Sequence, residues 1–195
     1  MNLLQKDIEE YKIAASREIV DIVNENNEVI GTSSRADMRM KNLPHRASYA
    51  FVRDPAGYFL VQKRSAFKDY CPGYWDPTPG GVVSAGETPA ETNRREVSEE
   101  MGIAIDTPME HLFTFYYEDN RVKCFGDCWE MFYSGPIKLQ ATEVDAVEKM
   151  SMQEIITRAD NGEYFTPDSI EACRQYVKFK GLPSITGEKT SVVLL

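Results

Sequence analysis

The stretch from Gly81 to Ile103, GVVSAGETPAETNRREVSEEMGI, constrains this chain more than any other. A glycine-bearing turn leads to Pro89, which suits the first turn of a helix, and Gly102 stands where a glycine commonly ends one. The pattern predicts a helix over Pro89 to Met101. On that helix Glu100 lies one turn beyond Glu96 and points the same way, while Glu99 flanks both. Like charges so spaced destabilise an isolated helix by about a few tenths of a kcal/mol each. They also sit near the C-terminus, where the helix dipole disfavours anions. Arg94 and Arg95 offset this in part. A hard cation offsets it better, because Mg²⁺ takes carboxylate oxygens and keeps positions for water and substrate phosphates. Taken alone, an acidic run is better read as a solvated face.

The rest of the chain bounds the possibilities. Its 195 residues fit one domain, expected over 18–180, after an arm or short helix over 1–17 and before a loose tail over 181–195. No apolar run is long enough to span a bilayer. The start is acidic and polar, unlike a secretory signal. Cys71, Cys124, Cys128 and Cys173 form no CxxC pair, which disfavours zinc and fits reduced thiols in the cytoplasm. A formal charge of −9 argues against a general nucleic-acid binder. An acidic chain that handles phosphates must concentrate positive charge locally or use metal ions as adaptors.

Other elements can be placed around the acidic helix. Glu18 to Gly31 reads as a β-hairpin, and Ser33 to Lys41 as a short helix capped by Ser33 or Ser34. Strand candidates over 45–52 and 58–62 flank the turn Asp54-Pro-Ala-Gly57, which predicts a second hairpin over 45–64. Lys68 to Gly81 reads as loop. Leu112 to Tyr117 and Lys123 to Ser134 are aromatic-rich strand candidates. Ser151 caps a helix to Ala159 with Glu154 completing a capping box, and Thr166-Pro167-Asp168 opens a last helix through Lys178. Local hairpins with interspersed helices imply an α/β fold, a mixed sheet sandwiched between helices in an α/β/α arrangement.

Gly81, Glu87, Arg95-Glu96-Val97, Glu99-Glu100 and Gly102-Ile103 fall at the spacing of the Nudix box, and the chain resembles the Nudix hydrolase family at every specified position. The resemblance implies the Nudix fold and Mg²⁺- or Mn²⁺-dependent hydrolysis of a nucleoside diphosphate linked to another group, or of a related diphosphate. It implies Glu96, Glu99 and Glu100 as metal ligands, with Arg95 orienting them by pairing with Glu87. Gly81 would let the loop pass close to the metal, and Gly102 would end the helix. Glu99 is the first candidate for completing water activation. Glu143, in the loop before Val144, is the second, and reads equally well as a surface acid.

A wider similarity covers about Ile19 to Met150. His45-Arg46-Ala47, Leu60-Val61-Gln62-Lys63-Arg64 and Pro72-Gly73-Tyr74-Trp75 resemble the branch that includes type I isopentenyl-diphosphate isomerase. The isomerase's own acid–base residues are missing. Its catalytic cysteine falls on Gly80, one histidine on Val82 and another on Met38, and its Glu-x-Glu finds no counterpart in Asp119 to Lys123. Arg64 and Lys68 match its diphosphate-holding positions, and His45 keeps a substrate-contacting place. The leading expectation is a hydrolase of that branch acting on a small-molecule diphosphate, with no nucleic-acid or membrane partner. A homodimer is common in the family. The alternatives are an isomerase using other residues and a silent module that binds a nucleotide.

Overall fold

The computed structural model describes residues 3–185. Helix α1 (Leu3–Arg17) leads into the antiparallel pair β1 (Ile19–Val23) and β2 (Val29–Ser34). Helix α2 (Arg35–Met40) follows, and of the two candidate caps it is the Ser34 hydroxyl that accepts from the Asp37 amide. Strands β3 (His45–Arg53) and β4 (Phe59–Arg64) flank the expected turn, where the Asp54 carboxylate accepts from the Ala56 and Tyr58 amides.

The expected hairpin over 45–64 is only a hinge. β3 and β4 pair solely at Arg53 and Phe59, then part. The segment 75–83 fills the gap. Short β5 (Trp75–Asp76) pairs with β4, and Ser48 and Ala50 of β3 donate to the carbonyls of Gly81 and Pro79. The stretch read as loop is therefore a wedge held to both strands, and it delivers Gly81 to the sheet.

Helix α3 (Pro89–Met101) has the expected bounds. Thr88 and Glu91 close a capping box, and Gly102 takes the left-handed conformation at φ 69°. Strands β6 (Met109–Glu118) and β7 (Lys123–Phe132) form the aromatic-rich pair, and β7 runs parallel to β3 along nine matched residues. β8 (Val144–Met150) pairs antiparallel with β4. The sequence reading missed it, because VDAVEKM carries three charges in seven residues and its pairing partner is more than 80 residues away. Helix α4 (Met152–Asp160) is capped by Ser151, but only half the expected box forms: Glu154 turns its carboxylate to Arg158 instead. Helix α5 (Pro167–Phe179) starts at the expected proline.

The result is an eight-stranded mixed sheet, mostly antiparallel, with helices on both faces. β3 shows why. Ala47, Tyr49 and Phe51 join a core with Ile155 and Ile156 of α4 and Tyr176 of α5, while Ala50 and Val52 face Val97 and Met101 of α3. A strand buried on both faces reads as a continuous apolar run. Burying Val97 and Met101 contributes roughly 1.5–3 kcal/mol each, which outweighs like-charge repulsion along α3. Beyond α5, Gly181 and Leu182 still donate to α5 carbonyls and Ile185 packs on the α4/α5 core. The rest of the expected tail, 186–195, lies outside the described residues. Among the described residues no helix is long and apolar enough to cross a membrane.

Candidate metal and phosphate site

Three elements bring three carboxylates together. Glu96 and Glu100 stand one turn apart on α3, and Glu143 enters from the loop before β8. One oxygen of each lies within 4.8 Å of the others, and all three residues are buried. Gln62 of β4 donates to Glu100 at 2.9 Å and ties the helix to the sheet. The Lys68 ammonium bridges Glu100, at 3.0 Å, and Glu143. Tyr11 of α1 donates to Glu143 at 3.3 Å.

Burial, then the neighbouring Glu100 charge, pushes the Glu96 carboxyl up to about 7. Burial opposes the Lys68 charge, yet Glu100 and Glu143 more than offset it and hold its pKa above the ordinary lysine range. The three acids meet the Lys68 ammonium and, at Glu96, the Arg95 guanidinium, which leaves one carboxylate more than the cations and favours a further cation.

Arg95 organises the outer side. Its guanidinium donates twice to Glu87, at 3.3 and 3.2 Å, and once each to Glu96 at 2.9 Å and Glu99 at 3.2 Å. Thr92 holds Glu87 in turn at 2.6 Å. Glu99 is half exposed at the rim, facing Arg95 rather than the buried trio. Gly81 earns its place by geometry: a Cβ there would meet Glu96 Cδ and Oε1 at 2.8 Å. Gly102 turns the chain against Lys138, which a Cβ would meet at 2.9 Å.

Glu96, Glu99 and Glu143 line a cavity of about 420 Å³, with Glu100 fully buried behind it. Arg64 and Lys68 both line it, and both are buried and already paired. Arg64 donates to Asp76 at 3.1 Å and to the Tyr70 carbonyl at 3.0 Å. His45 also lines the cavity, with Nδ1 against the Leu43 carbonyl at 2.9 Å. Burial and then the Arg39 charge push its pKa down to about 3, so the ring is neutral at physiological pH.

Several lining residues carried no sequence signal. Asp168 sits in the first turn of α5 and accepts from Tyr49 at 2.8 Å and Tyr70 at 3.2 Å. Burial holds both phenols well above the ordinary tyrosine range, so they remain donors. Arg35 pairs with Asp69 and Glu18. The Ser48 hydroxyl and the Gln140 side-chain oxygen line the cavity with no protein hydrogen bond. All four cysteines are free and buried, and Cys124 and Cys128 share the core face of β7.

Two buried acids on a box helix, a third brought to them from the loop before β8, and a cavity lined by cationic and acidic side chains under a mixed sheet fit a Nudix domain, and the chain belongs to that family: the NUDIX domain model matches residues 43–173. It is 46% identical over 163 residues to the uncharacterized Nudix hydrolase YfcD of Salmonella typhi, covering 84% of this chain and 86% of that protein. Its identity to YfcD of Escherichia coli strain K12 is 44% over 169 residues, covering 87% and 92%. The crystal structure of DR0079 from Deinococcus radiodurans matches with a TM-score of 0.73 at 28% identity, covering 81% of this chain and 98% of that one.

Proposed function

We propose that the protein is a Mg²⁺- or Mn²⁺-dependent hydrolase of an organic diphosphate, with Glu96, Glu100 and Glu143 holding the ion. The observation that carries this is the convergence of those three carboxylates within 4.8 Å, two of them, Glu96 and Glu143, lining the cavity. The donor set fits: all are hard oxygens, as these ions prefer, and the Lys68 ammonium already stands between two of them as a cation would. When bound, such an ion neutralises phosphate charge and lowers the pKa of a coordinated water.

The chain's own residues supply the rest. Arg95 fixes Glu96 and Glu99 through a planar fork that a point charge cannot reproduce. Lys68 bridges Glu100 and Glu143 and places a positive charge beside the substrate phosphates. Arg64, locked by Asp76, adds a fixed cation to the same wall. Glu99 and Glu143 remain the candidate groups to accept a proton from water. Glu143 belongs to the trio, and Glu99 has the solvent access that proton release needs.

An isomerase role through a side chain at the position of Gly80 is disfavoured by a particular contact. At Gly80, where the resembling isomerase carries its catalytic cysteine, a Cβ would lie 2.1 Å from the Ser48 carbonyl oxygen. No side chain fits there without moving β3.

The test is purified protein with Mg²⁺ and a panel of nucleotide sugars, dinucleotides, nucleoside triphosphates and prenyl diphosphates. Cleavage of a diphosphate, abolished in Glu100→Gln and Glu143→Gln, is expected. An isomerised prenyl product without phosphate release would overturn the proposal. Tight binding without turnover across metals and pH would favour a binding module.

A further inference from the structure

The carboxylate end of the site leaves one cation unexplained. Arg35, Arg64, Lys68 and Arg95 each donate at least one hydrogen bond to a carboxylate. Arg39, on α2, does not. Its Nε and Nη1 are buried from solvent and have no hydrogen-bond partner in the protein. Asp69 is its nearest paired acid, at 3.7 Å, and both Asp69 oxygens are taken by Arg35. Burial pulls the Arg39 pKa below the ordinary arginine value, whereas those of Arg35, Arg64 and Arg95 lie above it. A buried guanidinium with unmet donors costs free energy unless an acceptor arrives.

The place is built for one. Arg39 and Tyr70 line both the catalytic cavity and a second cavity of about 500 Å³. In the second cavity Arg121 joins them. The Arg39 and Arg121 guanidiniums lie 4.9 and 5.7 Å from the centroid of the Tyr70 ring. Of the lining residues only Asp69 is a carboxylate, hydrogen-bonded to Arg35 and 3.7 Å from Arg39, while Arg121 stands 3.7 Å from Asp119 outside the lining. Arg121 stays reachable, with its side chain 46% exposed.

We propose that Arg39, Tyr70 and Arg121 form an oxyanion subsite that takes a phosphate monoester or carboxylate on the organic half of the substrate. The claim rests on the hydrolase reading for its link to turnover, but not for anion binding itself. It narrows the substrate to a diphosphate bearing a further anionic group, with the diphosphate at the acidic trio and the extra charge at Arg39. Planar guanidiniums suit either oxyanion by paired N–H donors.

The test separates the two readings. Inorganic phosphate is titrated into metal-free protein, with binding followed by calorimetry and ³¹P line width. Arg39→Gln is expected to weaken binding about tenfold or more, and Arg39→Lys to recover part of it. Arg121→Gln, at a half-exposed position, is expected to weaken binding about threefold. Phosphate should also raise KM without changing kcat for whichever diphosphate is cleaved, and Arg39→Gln should relieve that inhibition by the same factor as binding. The subsite is overturned if wild-type protein binds no phosphate, or if binding is the same in both glutamine variants. Binding that depends on Arg39 but leaves KM untouched would sink its assignment to the substrate. Arg39-dependent binding with no diphosphate cleaved would leave the subsite standing and end the hydrolase reading instead.

Discussion

Gly81→Ala is the sharpest perturbation of the proposed metal site, because the glycine touches none of the chemistry. Its φ is not in the left-handed region, so alanine meets no backbone strain there. The cost is contact alone. The added Cβ would stand 2.8 Å from Glu96 Cδ and Oε1 and 3.2 Å from Cγ. The loop cannot retreat, since the Gly81 carbonyl accepts from Ser48 at 2.9 Å and Val83 donates to Arg46 at 2.9 Å. The Glu96 carboxylate must therefore move by about 0.6 Å to reach ordinary van der Waals contact. A shift beyond about 0.5 Å spoils a preorganised site, and disturbing the support of a metal ligand typically costs about 10–100-fold in affinity. Mn²⁺ affinity, read by electron paramagnetic resonance, should fall by that factor. Overpacking of about 1–3 kcal/mol should lower Tm by only several degrees in a domain of this size. The double variant decides the cause. In a Glu96→Ala background Gly81→Ala should cost no further affinity, because the two changes act through one carboxylate. Unchanged Mn²⁺ affinity in Gly81→Ala, or full additivity in the double variant, would refute the reasoning.

Lys68→Met leaves Glu100 and Glu143 buried without their ammonium; metal-free stability should fall by about 3–5 kcal/mol, and Mg²⁺ should restore part of it in calorimetry, whereas an equal loss with and without Mg²⁺ would show that the two cations do not share these acids. Arg95→Lys replaces a fork that reaches Glu87, Glu96 and Glu99 with a point charge; Mn²⁺ affinity should drop about tenfold while Tm changes by a few degrees at most, and wild-type affinity would count against the orienting role. The Glu96 carboxyl is raised from 4.5 to about 7 in metal-free protein, so the native state holds its proton more tightly than the unfolded chain does. Its contribution to stability is present below about pH 4.5 and is lost as pH rises toward 7. The Tm difference between wild type and Glu96→Gln should shift against wild type across that window, and a flat difference would contradict it. His45 carries the opposite sign: held down to about 3, its contribution is present above pH 6.5 and is lost as pH falls toward 3. His45→Asn should flatten that acid limb in a Tm–pH profile.

Local signals in the chain were enough for much of this architecture. The bounds of α3 follow from Pro89 and Gly102, whose effects are backbone effects within one turn. The turn at 54–57, the Ser34 cap and the start of α5 are likewise local. β8 was not legible: its sequence is charged, and only pairing with β4 makes it a strand. Nor was the parting of β3 and β4, because the wedge at 75–83 competes for their edges only once the chain has folded. The site divides in the same way. Glu96 and Glu100 share a helix face by spacing alone. Glu143 lies more than 40 residues on, and its place beside them depends on the loop that enters β8.

By itself, then, the sequence determined the acidic helix, its arginine and its glycines, because those effects act over one or two turns of backbone. Tertiary structure decided which acids meet. It set Glu99 at the rim and Glu143 in the trio, and it spent Arg64 and Lys68 on buried carboxylates. It left Arg39 with donors unmet. Long-range pairing and burial fix those outcomes, since a charge is worth little in water and a great deal where water is excluded.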